Sequence, residues 1–214
     1  MKITKLFPFI VLLVFQACTG VDKKLTKVLA DEFGVPCEVA VSGNDLVVQI
    51  SDIPSEDLFV NYQLSTMVGC IVHSIGESDF KEFDLVRFDV SALHTSYSFP
   101  TKVVLAAPER LGVIGKLIKN LNSEDFIGAK SFFDDKVTDE LYEEQIIKEW
   151  NSLLQQNHMK PIGLVSKGYK MFKLPNEKDY MVQYGFYTTN KNAFVEVLFP
   201  EVGDKIVLLN ITLL

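Results

Sequence analysis

Catalysis needs a titratable or nucleophilic group, a partner that tunes it and a place for substrate, and this 214-residue chain offers few such sets. His73, His94 and His158 are scattered, with no serine elbow or paired cysteine beside them, so neither a Ser/His nor a Cys/His couple is spelled out. His158 follows a helical stretch and reads as a surface residue favoured by the helix dipole. The acids Asp134, Asp135, Asp139, Glu140, Glu143 and Glu144 carry the charge for a cation but lack the spacing and glycine of a calcium loop. They read as a solvated face and a first helical turn. "GVIGKL" at 112–117 has the glycine and lysine of a phosphate loop without its spacing, and no Ser/Thr follows Lys116. No Cys/His set has zinc spacing, and no catalytic residue, metal or cofactor is expected.

Three strand-like segments near the C-terminus, "DYMVQYGFYTT", "NAFVEVLF" and "DKIVLLNITL", alternate between two faces. One phase holds Tyr180, Val182, Tyr184, Phe186, Ala193, Val195, Val197, Phe199, Val207, Leu209, Ile211 and Leu213, without a single charge. A pocket on that face would have Trp150, Tyr180 and Tyr184 as its polar groups; otherwise these side chains lie in a core. The opposite phase mixes Met181, Tyr187, Phe194, Leu198, Ile206 and Leu208 with Gln183, Glu196, Asn210 and Thr212. A solvated sheet face is mainly polar, so this one is expected to be an interface, covered by the first half of the chain, a second copy or a partner protein.

The elements that must position these residues are α+β in kind. The first body, 18–107, reads α-β-β-α-β-β. A helix with Val21, Leu25, Val28, Leu29 and Phe33 stops at Gly34 and Pro36. A hairpin turns at Gly43-Asn44-Asp45, and a second helix, capped by Ser55, carries Tyr62, Met67, Cys70 and Ile71. A strand with Val86, Phe88 and Val90 inward and a last strand over "SYSFPTKVVLAA" follow, and a Pro/Gly turn at "APERLG" separates the bodies. The second body, 108–214, puts helices first, one opened by Val113, Leu117, Ile118 and Leu121 and a longer one with Leu141, Ile146, Trp150, Leu153 and Leu154 inward, and a meander of long strands afterwards. Cys37 and Cys70 fall on faces that point to one core, as a disulfide or as buried free thiols.

The N-terminus places the protein. Lys2 and Lys5 precede an apolar run from Leu6 to Ala17, too short to span a bilayer. Phe15-Gln16-Ala17-Cys18 resembles a bacterial lipoprotein lipobox. The resemblance implies removal of residues 1–17, acylation of Cys18 with palmitate-type chains, and a lipid anchor in a bacterial membrane, at the outer membrane or cell surface. An ordinary signal peptide and an uncleaved anchor are the other readings. Losing residues 1–17, which hold two lysines and no acid, takes the net charge from −7 to −9, a poor match for nucleic acid.

"NLNSEDFIGAKSFFDDKVTDEL", then Trp150, then Gly163 ahead of paired long strands, resembles the nuclear transport factor 2-like, cone-shaped superfamily over residues 111–214. The resemblance implies helices followed by a curved antiparallel sheet, and it includes both enzymes and ligand-free modules. The expected function is a non-catalytic envelope lipoprotein that binds a protein partner, a second copy or a small apolar ligand. The alternatives are an isomerase- or dehydratase-like enzyme in the cone pocket and a purely structural envelope-maintenance factor.

Overall fold

The computed structural model describes residues 20–51, 53, 60–134, 140–173 and 180–214. The leader, Cys18 and the Ser55 cap lie outside the described residues, as do Asp135 and Asp139. The elements in chain order are α1 (Gly20–Phe33), β1 (Cys37–Ser42), β2 (Asp45–Ile50), α2 (Val60–Ile75), α3 (Glu77–Phe80), β3 (Leu85–Val90), β4 (Thr95–Pro100), α4 (Thr101–Asn122), α5 (Phe126–Lys130), α6 (Glu140–Gln156), β5 (Leu164–Lys173), β6 (Tyr180–Thr188), β7 (Ala193–Pro200) and β8 (Leu208–Leu213). The protein is mixed α+β, with two four-stranded sheets ordered β1-β2-β3-β4 and β5-β6-β7-β8.

The first sheet is antiparallel except for β2 and β3, which run parallel. Parallel neighbours need a crossover, and the segment carrying α2 and α3 supplies it. Gly43 and Gly34 have positive φ at the hairpin and at the end of α1, as a tight turn and a helix stop require. Val86, Phe88 and Val90 are buried, as the alternation of β3 predicts.

The second sheet is an antiparallel meander with a bulge at Ser166/Gly168. Val182, Tyr184, Phe186, Ala193, Val195, Val197, Phe199, Leu209 and Ile211 are buried on the uncharged face, as expected from their alternation. Leu213 on the same phase is exposed, at the open end of β8.

The expected strand through Ala107 and the turn at 106–112 are corrected by the structure. β4 stops at Pro100, and α4 runs unbroken through Pro108, so the expected boundary at 107/108 falls inside a helix. Val103, Val104, Arg110, Ile114, Leu117, Ile118 and Leu121 form a buried stripe at helical spacing along α4. That tertiary burial outweighs the helix cost of Pro108, about 3 kcal/mol.

One hydrophobic core runs through both halves. Rings link the sheets edge to face and tilted: Phe88 to Phe99 at 5.8 Å, Phe99 to Tyr169 at 5.8 Å, Tyr169 to Tyr184 at 5.4 Å and Tyr184 to Phe199 at 5.6 Å. α2 meets β5 at the bulge. Gly168 has φ +111°, and a Cβ there would meet Ser65 Oγ and lie 2.5 Å from the Tyr62 carbonyl oxygen. Ser65 Oγ donates to that carbonyl at 2.7 Å and accepts from the Tyr169 N–H at 2.8 Å, so the helix and the bulged strand share one buried hydroxyl.

Candidate functional site

Three regions combine side chains in ways that the core does not require. The first is an apolar pocket where α4 ends. Asp125 caps α5 by accepting from the Gly128 N–H at 2.9 Å, and its own N–H donates to the Asn120 carbonyl at 2.9 Å, which folds α5 back against α4. Phe133, after α5, is held by a parallel bridge to Ile206. With Ile146 and Ile147 of α6 as the third wall, the elements enclose a cavity of about 360 Å³. Leu121, Ala129, Phe133 and Ile146 are buried at its base, Phe126 is half-buried, and Ile127 stands 89% exposed at the rim. Lys130 is the charged member of the lining. Such a surface takes up an apolar group by desolvation, and its described lining holds no carboxylate, imidazole or thiol.

The second region is the seam between α4 and the β7–β8 loop. Arg110 is 2% exposed, and its Nη2 donates to the carbonyls of Pro200 and Glu201 at 2.8 Å each and of Gly203 at 3.1 Å. The guanidinium lies 5.5 Å from the Phe199 ring centre. Tyr184 faces it from β6, and burial pushes that hydroxyl up to about 12 against the downward pull of the nearby guanidinium. Tyr169, beside it on β5, is raised further, first by burial and then by Tyr184. The Tyr184 hydroxyl lies close enough to the Arg110 guanidinium for hydrogen bonding to add to that downward pull, but no hydrogen bond of ordinary geometry joins them.

The third region is the mixed face of the second sheet. Glu196 on β7 accepts from the Gln183 side-chain amide on β6 and, at 3.1 Å, from the Asn210 side-chain amide on β8. Tyr62 from α2 lies over Gly185, where a Cβ would come within 2.8 Å of its ring, and packs edge-on against Phe194 with centroids 6.2 Å apart. Phe194 also tilts onto Tyr187 at 5.0 Å, and Lys170 and Lys167 sit over the Tyr62 and Tyr187 rings. Burial first, then the Glu196 charge, pushes the Tyr62 hydroxyl far above its ordinary range. The first half of the chain thus covers the β6–β7 part of this face, while Leu208, Asn210 and Thr212 on β8 remain exposed.

The residues singled out from sequence fall as follows. Trp150 and Tyr184 are buried core side chains, and Tyr180 is the first residue of β6. Met181, Tyr187 and Phe194 are half-buried and Leu198 is buried on the mixed face; Leu208 is 41% exposed there. Ile206 departs from expectation: it precedes β8, bridges to Phe133, and is fully buried. Cys37 and Cys70 are free and half-buried, with the Cys37 thiol 3.8 Å from the Thr26 carbonyl, and burial raises both thiols.

Sequence reasoning missed Arg110 because 101–107 read as a strand. At helical period from Val103 to Leu121, position 110 is a lone cation on an apolar stripe, which was the signal. The pocket residues Phe126, Ile127 and Phe133 sit in a segment recognised as a capped short helix, but nothing in their spacing showed that Ile146 and Ile147 would close the cavity.

Among the described residues, no group of three or more His, Cys, Asp or Glu side chains is placed to hold a metal ion. No described helix is long and apolar enough to cross a membrane. The chain matches no family model, no curated protein and no solved structure.

Proposed function

We propose that this chain is a non-catalytic binding module that takes a small apolar ligand in the α4–α5–α6 pocket. In this reading it works while anchored to a bacterial membrane through an acylated Cys18, with a C-terminal half of the nuclear transport factor 2-like kind. The observation that carries the binding reading is the pocket itself: about 360 Å³, walled by Leu121, Phe126, Ala129, Phe133, Ile146 and Ile147, with Ile127 exposed at its mouth. Helices before a four-stranded antiparallel meander support the superfamily reading. The anchor rests on the apolar run that ends in Ala17-Cys18.

Ala129 is the smallest apolar side chain at the base of the pocket, so Ala129→Phe fills it from within. A solvatochromic probe such as N-phenyl-1-naphthylamine should gain fluorescence on the wild-type protein, lose it to competing fatty acids, and gain none on the folded Ala129→Phe variant. Equal binding by the two proteins would remove the pocket from consideration. The anchor is tested separately, because Cys18→Ser should move the protein from the salt-washed membrane fraction to the soluble one.

A further inference from the structure

Arg110 is a buried permanent cation that forms no direct ion pair among the described residues. It is 2% exposed, and a guanidinium stays protonated at any working pH. Arg110 takes part in neither the Arg87–Asp89 nor the Lys102–Glu201 ion pair. Carbonyl groups of the β7–β8 loop satisfy Nη2, but Nε and Nη1 are buried without an acceptor. The hydroxyls of Tyr169 and Tyr184 next to it are likewise buried and unpartnered. Burial keeps both tyrosines neutral, so each has an O–H to donate and neither supplies a negative charge.

We propose that Arg110, Tyr169 and Tyr184 form an internal site for a single halide-sized anion. Buried charges are paired and buried donors find acceptors. A water would accept from these donors but would leave the charge uncompensated, whereas a monovalent anion accepts from them and neutralises the guanidinium together. The Phe199 ring, 5.5 Å from the guanidinium, and the Phe99 ring, 5.8 Å from that of Tyr169, provide apolar walls that favour a monatomic ion over an oxyanion needing more donors. A groove of about 390 Å³ reaches Arg110 from the surface beside Lys102. Glu109, Glu201 and Asp204 on that groove disfavour a multivalent anion such as phosphate.

The test uses bromide. Crystals grown or soaked in sodium bromide should show one anomalous peak within contact distance of the Arg110 guanidinium and the two hydroxyls. In solution at fixed ionic strength, the unfolding midpoint should rise and saturate as chloride or bromide replaces gluconate, because a ligand of the native state stabilises it. Tyr184→Phe and Tyr169→Phe keep the ring packing and should each weaken apparent halide affinity by about tenfold, the worth of one hydrogen bond to a charged acceptor. An ordered water at the site in bromide crystals, or halide dependence identical in the wild type and both variants, would overturn the proposal. If a variant does not fold, the anomalous map of the wild-type protein decides alone.

Discussion

Two regions along α4 place opposite demands on the chain. Midway, Arg110 enters the second half and is tied to three loop carbonyls; at the C-terminal end, Leu121 joins a pocket wall made of apolar side chains. The first region is a seam. It works with the Gly168–Ser65 contact on the other flank, where α2 meets the bulge of β5. Its polar groups must be met one by one, so it fixes how helix and sheet sit together. The pocket has little polarity to satisfy. It imposes shape without register and can accept a guest by desolvation alone. The seam should therefore respond to substitution through stability and the pocket through binding.

The sharpest way to break that contrast is at Gly168. Its φ of +111° is strained for any side chain, and its missing Cβ is where Ser65 Oγ and the Tyr62 carbonyl approach. Backbone strain and overpacking add here, so Gly168→Ala should lower unfolding stability by about 4 kcal/mol. Urea denaturation measures it. A loss below about 1 kcal/mol would mean that α2 can move off the strand at little cost, and the seam would not be a fixed contact. Probe binding in the pocket should be unchanged wherever the variant is folded.

Arg110→Met tests the opposite flank. Methionine keeps most of the volume but strands the carbonyls of Pro200, Glu201 and Gly203, so a loss of about 3 kcal/mol is expected in the same denaturation experiment. A neutral outcome would show that the loop carbonyls find water once the guanidinium is gone.

How much of this was legible from sequence depends on which force decided each element. The uncharged phase of β6 and β7 and the inward set Ile146, Trp150, Leu153 and Leu154 were readable, because burial there follows the local period. The first half of α4, from Thr101, was not, although Val113, Leu117, Ile118 and Leu121 further on read as a helix. "KVVLAAPERLG" pairs β-branched residues with a proline and a glycine, and local chemistry favours strand and turn. Only contact with elements distant in sequence makes the helical stripe from Val103 to Leu121 win. The same holds for Ile206, whose alternation points outward but whose backbone bridges to Phe133. The seam depends on the first half of α4, so it could not be assembled before that part of the helix was known.

Alkaline pH should loosen the seam selectively. Tyr184 has its folded pKa raised to about 12 from an ordinary value of 10, and Tyr169 and Tyr62 are raised in the same direction. For such groups the native state holds the proton more tightly, so their stabilisation is complete below the unfolded pKa. It declines as pH climbs from about 10 through the folded value, at roughly 1.4 kcal/mol per pH unit for each group. Urea midpoints that fall steeply above pH 10 in the wild type, and less steeply in Tyr184→Phe, are the expected result. Parallel curves would mean that Tyr184 titrates outside the core.

The smallest effect separates two parts of one sheet face. Phe194 is half-buried under Tyr62 and Tyr187, whereas Leu208, one strand further on, is 41% exposed. Phe194→Asp removes two ring contacts and brings a carboxylate near Glu196, which already accepts from Gln183 and Asn210. It should cost about 2 kcal/mol, combining lost ring packing with like-charge repulsion. Leu208→Asp touches nothing comparable and should stay within about 0.5 kcal/mol in the monomer. Sedimentation velocity at increasing concentration adds the decisive reading. If Leu208→Asp abolishes self-association seen in the wild type, the exposed β8 part of the face is an interface and continues the cover that α2 begins. If the wild type remains monomeric and Leu208→Asp leaves both stability and sedimentation unchanged, that part of the face is not a self-association surface, and the apolar pocket is the stronger place to seek the protein's ligand.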